Sequence, residues 1–389
     1  MARNSCKRKA LDDLTTKPSK LVRTDEHVIS TEDITRHDVQ LIRRSVYNAR
    51  RKTLPSLPKS IEETILALRS IPMSTAKKED FLLFCDFVDT IPLVIFTCSS
   101  NLPHLCRAAV LLCDGTFKYC PKYFYQVYTI MAVLGDYYVP LVFALLPDKR
   151  EDTYAVLFRL IQETCRTYYL EFAPTQIIVD FEIATHNAIR SILPETAILC
   201  CRFHFGQSLW RKIGELGLVT VYNDKTSAQS KWLHHFFGLP LLPCNLVEST
   251  FCDYIIRDCP GDDQLMNFAD YVLKTYIEPD SMFPPSLWAW EPNHSPHTNN
   301  AIESFHGRLS GYFAAHHPNI FVFVQGVQQI QADTYVTLRS LHQPVTPSNG
   351  EMMRRSFARK TLIQLQDGLI SPYHYIATMC YRYLPITNI

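Results

Sequence analysis

The spacing of hydrophobic residues changes along this chain, and each change predicts a different kind of element. Three apolar runs rich in β-branched and aromatic residues, separated by short turns, predict an antiparallel meander at 107–117, 123–134 and 137–146. Helical and extended patterns then alternate, which predicts a helix at 153–168, a strand at 176–180, a helix at 183–192, a strand at 197–202 and a helix at 205–216. This order is typical of a mixed α/β sheet with helices packed on it.

Helical patterns dominate on both sides of this region. The strand signal disappears after 217, where proline-broken helical stretches predict an inserted helical domain. A helix that carries Glu303 follows, and Thr298-Asn299-Asn300 marks its start. We therefore predict a flexible basic lead-in at 1–30, an N-terminal helical region at 31–100, the first part of the core at 101–217, the insertion at 218–296, the core helix at 297–318 and a C-terminal helical region at 319–389.

The composition narrows the class of protein. The chain has 389 residues, 47% of them hydrophobic and 20% charged, which is ordinary for a globular protein and excludes a fibrous one. Its 13 cysteines form no C-x-x-C pair and lie mostly in apolar runs, which indicates reduced, buried thiols. The longest apolar segment, 137–147, is too short to span a bilayer, and the N-terminus has no apolar stretch of signal-peptide length. We expect a soluble cytosolic or nuclear protein without membrane contact.

The formal net charge of +1 means that any nucleic-acid surface must be local. Each basic cluster is either a solvated helix face or part of a DNA-binding surface. The predicted DNA contacts are Arg43, Arg44, Arg50, Arg51, Lys52, Arg211 and Lys212. A further cluster, Lys7-Arg8-Lys9, has the composition of a short nuclear-import signal, and it supports a nuclear location.

Acidic residues follow two of the apolar strands. Asp114 comes after a buried run and is followed by a Gly-Thr turn, and Asp180 comes directly after Ile177-Ile178-Val179. Burying a lone carboxylate costs several kcal/mol, on the order of 3–5, unless a cation or hydrogen-bond donors compensate. The alternative reading of each Asp is a turn or helix-cap residue. Two such acids in one sheet favour a shared site.

Two further pairs have metal-ligand spacing. Glu303 and His306 are three residues apart and share a helix face, although an exposed glutamate is the simpler reading. A di-iron site would need a second Glu-x-x-His, which is absent from the sequence. Cys201 and His204 have the spacing of half a zinc site; the alternative is a buried thiol beside a hydrogen-bonded histidine.

These motifs, in their order, resemble the Mutator-like element (MULE) transposase domain from about 105 to about 320. The resemblance rests on Asp114-Gly115-Thr116-Phe117, Leu145-Leu146-Pro147-Asp148-Lys149, Asp180-Phe181-Glu182, Cys201-Arg202-Phe203-His204 and Thr298-Asn299-Asn300-Ala301-Ile302-Glu303-Ser304-Phe305-His306. It implies an RNase H-like core with a helical insertion before the last acid.

The resemblance also implies a DDE triad that cuts and rejoins transposon DNA. Asp114, Asp180 and Glu303 would be its catalytic residues and the ligands of two Mg²⁺ or Mn²⁺ ions. Supporting or structural roles fall to Glu182, Cys201, Arg202, His204 and His306. DNA and a second copy of the chain are the expected partners, and zinc at Cys201 and His204 is a less favoured reading. A domesticated, non-catalytic DNA-binding protein that keeps the fold is the alternative.

Overall fold

The computed structural model describes residues 2–12, 16, 18–25, 35–290 and 300–382. Its strands are β1 (Leu82–Val88), β2 (Ile91–Phe96), β3 (Val110–Thr116), β4 (Gln126–Leu134), β5 (Tyr137–Leu146), β6 (Gln176–Val179) and β7 (Ala197–Cys200). They form a seven-stranded mixed sheet in the order β1-β2-β5-β4-β3-β6-β7. A mixed sheet flanked by helices agrees with the predicted α/β, RNase H-like class.

The helices connect and follow these strands. They are α1 (Ala2–Asp12), α2 (Pro18–Arg23), α3 (Arg36–Thr53), α4 (Ile61–Ser70), α5 (Leu102–Arg107), α6 (Glu151–Thr167), α7 (Ile183–Ile192), α8 (Arg202–Glu215), α9 (Val219–Asn223), α10 (Ala228–His235), α11 (Cys244–Thr250), α12 (Asp263–Val272), α13 (Asn300–Tyr312), α14 (Ile320–Arg339), α15 (Asn349–Gln366) and α16 (Pro372–Met379). None of the helices that the structure describes is long and apolar enough to cross a membrane.

The chain divides into two compact units. The first comprises Met1–Thr175, Asn187–Thr196 and Ala301–Gln343, and the second comprises Gln176–His186, Ala197–Asn300 and Pro344–Ile389.

The first unit contains the antiparallel meander that the alternating pattern predicts. Strand β4 pairs with both β3 and β5, and the β4–β5 connection turns at Gly135, whose φ of 62° favours glycine. The segments Leu111–Cys113 and Leu141–Leu146 are buried almost completely, so the sheet has a continuous apolar centre. This centre holds β3, the strand that carries Asp114.

Strands β1 and β2 lie in the segment 31–100, for which the sequence predicts helices. They form an antiparallel hairpin, and β2 pairs in turn with β5. Pro92 within β2 weakens the sequence signal for a strand, because proline cannot donate to a ladder. All six residues of β2 are buried, so they show no alternation of apolar and polar positions.

The N-terminal part is helical where the sequence predicts a flexible lead-in. Helices α1 and α2 pack on α3 through a small apolar cluster formed by Cys6, Ala10, Leu21, Val22, Ile42 and Val46. Arg50 of α3 donates hydrogen bonds to the carbonyls of Ala10 (3.0 Å) and Thr16 (2.8 Å). The predicted helix start at 31–33 lies outside the described residues; α3 begins after Thr35, which caps it together with Asp38.

The second unit contains the parallel pair β6–β7 and a mainly helical core. The core is rich in aromatic side chains, and Phe205 stacks on Trp288 with ring centroids 4.6 Å apart. Helices α9 to α12 occupy the segment predicted as a helical insertion, and two of them continue as π-helical turns at Phe251–Ile256 and Leu273–Ile277. Residues 291–299 lie outside the described part.

Candidate metal centre

Asp114 lies in β3 directly before Gly115, opposite Thr129 of β4. Its side chain is 9% exposed. The Asp114 Oδ1 atom accepts a hydrogen bond from the backbone N–H of Gly115 at 2.7 Å. Hydrogen bonds to a charged acceptor are stronger than neutral ones, so this bond holds the carboxylate in one orientation.

A histidine lies on the other side of this carboxylate. Nδ1 of His306 is 3.4 Å from Oδ2 of Asp114. His306 belongs to α13, which Ile302 and Phe305 anchor in the core; the Phe305 ring lies 6.1 Å from that of Phe143 in β5. The sequence assigns His306 a role beside the third acid, and the structure places it against the first. The backbone of Glu303 lies in α13, but its side chain is outside the described part of the structure.

Gly115 is required by a close approach between β3 and β4. A methyl group at this position would overlap Oε1 of Gln126. Gln126 is itself buried, and its Nε2 donates to the backbone oxygen of Asp148 (3.1 Å) and to the hydroxyl of Tyr154 (2.8 Å). The Asp-Gly-Thr motif therefore combines an acidic side chain with a position where a Cβ would displace the buried Gln126 side chain.

Asp180 stands one residue beyond β6, in the second unit. Its Oδ1 accepts a hydrogen bond from the backbone N–H of Phe181 at 2.9 Å, which repeats the arrangement at Asp114. The backbone oxygen of Asp180 lies 2.9 Å from Nε2 of His186, and this nitrogen is 3.7 Å from Sγ of Cys200. His186 thus fixes the turn that presents Asp180. The sequence analysis did not single out His186.

His204 faces Asp180 from the neighbouring strand-to-helix turn. Its Nδ1 is 3.2 Å from Oδ1 of Asp180, and the side chains are 14% and 38% exposed respectively. Cys201 is the N-cap of α8: its Sγ accepts from the backbone N–H of His204 at 3.5 Å, and its own N–H donates to Val179. Capping of this kind links positions three apart, so the cap accounts for the Cys-x-x-His spacing. The helix begins at Arg202, three residues before the predicted start.

Asp180 and His204 place a carboxylate and an imidazole side by side in the second unit. This pair suits a divalent ion that accepts oxygen and nitrogen ligands, such as Mn²⁺, and carboxylate oxygens also suit Mg²⁺. His294 and His297, which could have completed a zinc site with Cys201, lie outside the described residues.

The remaining predicted residues have varied surroundings. The backbone oxygen of Glu182 accepts from Thr185 and His186 at the start of α7, and Arg202 is the first residue of α8. Among the predicted DNA contacts, Arg50 is buried and bonded to backbone carbonyls. The exposed ones are Arg44, Arg51, Lys52 and Arg211. Arg43 and Lys212 are half-buried, and Lys212 pairs with Glu215 at 3.2 Å.

Comparison with known families agrees with this arrangement. A seven-stranded mixed sheet flanked by helices is compatible with the class of RNase H-like folds. Residues 110–208 match the MULE transposase domain, in agreement with the sequence resemblance. The match runs from β3 into α8, and it includes Asp114, Asp180, Cys201 and His204. No curated protein matches the chain.

Proposed function

We propose that this protein is a MULE-type DDE transposase, or a protein derived from one, that cleaves and transfers DNA strands with divalent metal ions. One observation carries the proposal. Within the segment that matches the MULE transposase domain, both predicted acids, Asp114 in β3 and Asp180 just beyond β6, accept a backbone N–H and face an imidazole.

In this proposal Asp114, Asp180 and Glu303 are the three acids that would hold the metal, and His204, beside Asp180, would add a nitrogen ligand. Mg²⁺ or Mn²⁺, bound as a pair, would supply the activation of water or of a DNA 3′-hydroxyl and the stabilisation of the leaving oxygen. The hydrogen bonds from Gly115 and Phe181 keep the carboxylates oriented. His306 would position Asp114, because a residue bonded to a ligating carboxylate fixes its direction.

The DNA would be held by exposed basic side chains. On α3 these are Arg44, Arg51 and Lys52, and on α8 Arg211 is exposed. Contacts between such cations and phosphates release counterions, so binding should weaken as the salt concentration rises. The proposed site of action is the nucleus, with Lys7-Arg8-Lys9 as the proposed import signal.

A plasmid-nicking assay with the purified full chain tests the proposal. We expect nicking of supercoiled DNA in Mg²⁺ or Mn²⁺ and none in EDTA. Asp114→Asn and Asp180→Asn should each reduce nicking by about 10³-fold or more, because each replaces a negatively charged metal ligand with a neutral amide. DNA binding should be unchanged, because both variants keep the basic side chains that would contact phosphate. Asp270→Asn, at an exposed position of α12, is the matched control.

Two results would contradict the enzyme proposal. One is a chain that binds DNA but does not nick it in either ion; the other is nicking that both asparagine variants retain. The first result favours the domesticated DNA-binding protein. The second would mean that the activity belongs to a contaminating nuclease or to another site.

A further inference from the structure

Two large aromatic side chains stand exposed side by side just beyond β3. Phe117 is 42% and Tyr125 52% exposed, and their ring centroids are 5.2 Å apart at an interplanar angle of 71°. Single exposed aromatic residues are ordinary on protein surfaces, but an exposed pair in edge-to-face contact presents apolar ring surface to solvent. Phe117 ends the Asp-Gly-Thr-Phe motif, but neither ring has a role in the proposed metal centre or in the basic clusters.

Cations surround the exposed rings. Nζ of Lys149 lies 5.0 Å from the centroid of the Phe117 ring, and Nζ of Lys122 lies 4.6 Å from that of Tyr123. The segments 117–125 and 147–150 contain four basic residues and one acid. That acid, Asp148, accepts a hydrogen bond from Nε of Arg150 at 2.7 Å. The surface around the aromatic pair is therefore positively charged.

The loop that carries the pair is held in place. The backbone N–H of Tyr125 donates to Leu146 of β5 at 2.8 Å, and that of Cys120 donates to Phe117 at 3.1 Å. Between them Tyr119 is buried, with its ring stacked 5.3 Å from Phe313. A surface that is already ordered loses little conformational entropy when it binds a ligand.

The pair is also close to the first acid. Phe117 follows Asp114 by three residues, and an extended chain covers at most about 3.6 Å per residue, so their Cα atoms are within about 11 Å. The aromatic pair and the first acid are therefore on neighbouring parts of the chain.

We propose that Phe117, Tyr125 and Lys149 form a stacking platform for an unpaired base of single-stranded DNA. Proteins bind single strands by stacking bases on aromatic rings within a positively charged surface, and this surface has both features. The choice of DNA as the ligand rests on the proposed function. The platform would hold a DNA strand that has separated from the duplex. Lys149 would contact the adjacent phosphate.

Equilibrium binding of two labelled 12-nucleotide strands, oligo-dT and an abasic strand with the same phosphates, tests the platform. The titrations use the full chain in EDTA, so they are independent of cleavage. Phe117→Ala and Tyr125→Ala should each weaken oligo-dT binding about tenfold and leave abasic binding unchanged, since only bases can stack. Lys149→Gln should weaken both strands. Tyr168→Ala is the matched control, because Tyr168 is 51% exposed.

The results separate this proposal from the enzyme proposal. Unchanged oligo-dT binding in both alanine variants would overturn the platform, whether or not the chain nicks plasmid. Equal weakening on the oligo-dT and abasic strands would also overturn it, because the loss would then come from backbone contacts. A folded Asp114→Asn variant should still bind oligo-dT as the parent does, even where nicking is lost.

Discussion

Oδ1 of Asp180 lies 3.2 Å from Nδ1 of His204, and the two residues follow adjacent parallel strands. Val179 and Cys200 are register partners, so the chain leaves β6 and β7 at the same edge of the sheet. Cys201 then caps α8 and turns His204 in the first helical turn toward Asp180. The pairing thus follows from strand register and a helix cap.

This relationship predicts a metal preference. His204→Ala should weaken Mn²⁺ binding about 10- to 100-fold and affect Mg²⁺ binding less, because imidazole is a poorer ligand for Mg²⁺ than for Mn²⁺. Titration of the protein with Mn²⁺, followed by electron paramagnetic resonance, and calorimetry with Mg²⁺ give the two affinities.

Cys201→Ser is the matched control for His204→Ala. Serine is a good N-cap, so this variant should keep the turn and the affinity for Mn²⁺. Unchanged Mn²⁺ affinity in His204→Ala would contradict the assignment of His204 as a ligand. Loss of bound zinc in Cys201→Ser would instead support the zinc reading of Cys201 and His204.

Local sequence patterns were enough to predict the elements that carry the acids. The predicted bounds of β5 and α7 are confirmed to the residue, and Asp180 directly follows β6 as expected. Asp114 instead lies within β3, because Gly115 and Thr116 continue the pairing with β4 where the sequence predicts a turn. An apolar run followed by an acid is a pattern of only a few consecutive residues, and it indicates a buried strand with a carboxylate at or near its end. It needs no knowledge of which other elements pack nearby.

The partners of those acids depend on contacts that no local pattern encodes. His306 lies 192 residues after Asp114 (306 − 114), and its Nδ1 is close to the Asp114 carboxylate only because of how α13 packs on the sheet. The Phe117–Tyr125 pair depends likewise on the shape of a loop. The β1–β2 hairpin was missed for a different reason, since β2 contains a proline and has no polar alternation.

Gly115→Ala should destabilise the protein by about 1–3 kcal/mol. The new methyl group would displace the Gln126 side chain, whose two hydrogen bonds to Asp148 and Tyr154 would then be lost. Urea denaturation measures the free energy of unfolding. Gly214→Ala, at an exposed position of α8 with no atom near the added Cβ, should be neutral or slightly stabilising. Equal effects of the two substitutions would contradict the close-approach argument.

The buried amides of Asn101 and Gln331 should show strong coupling. Each side-chain amide donates to the other at 2.9 Å. The two bonds connect Gln331 of α14 to Asn101, which lies in the short 3₁₀ helix between β2 and α5. Asn101→Leu or Gln331→Leu alone leaves one buried amide without its partner and should cost about 1–3 kcal/mol. The double variant should be more stable than the sum of the two losses predicts. Additive losses in a urea-denaturation cycle would contradict the coupling.

Burial of His235 should make the second unit sensitive to acid. Desolvation, and secondarily the charge of His234, lower the pKa of His235 to about 4 from an ordinary value near 6.5. The unfolded chain therefore binds more protons between these pH values, so stability is full above about pH 6.5 and falls as the pH drops toward 4. The loss is on the order of 3 kcal/mol for a shift of this size.

Denaturation at pH 7 and pH 4.5 measures this effect in the parent and in His235→Phe. Phenylalanine cannot be protonated, and it keeps a ring beside Tyr373, whose centroid lies 5.0 Å from that of His235. The variant should lose less stability between the two pH values than the parent does. His374→Gln, at an exposed position of α16, is the control and should behave like the parent. If His235→Phe and the parent lose the same stability, the acid sensitivity comes from other groups. His235 would then have the same protonation state in the folded and the unfolded chain.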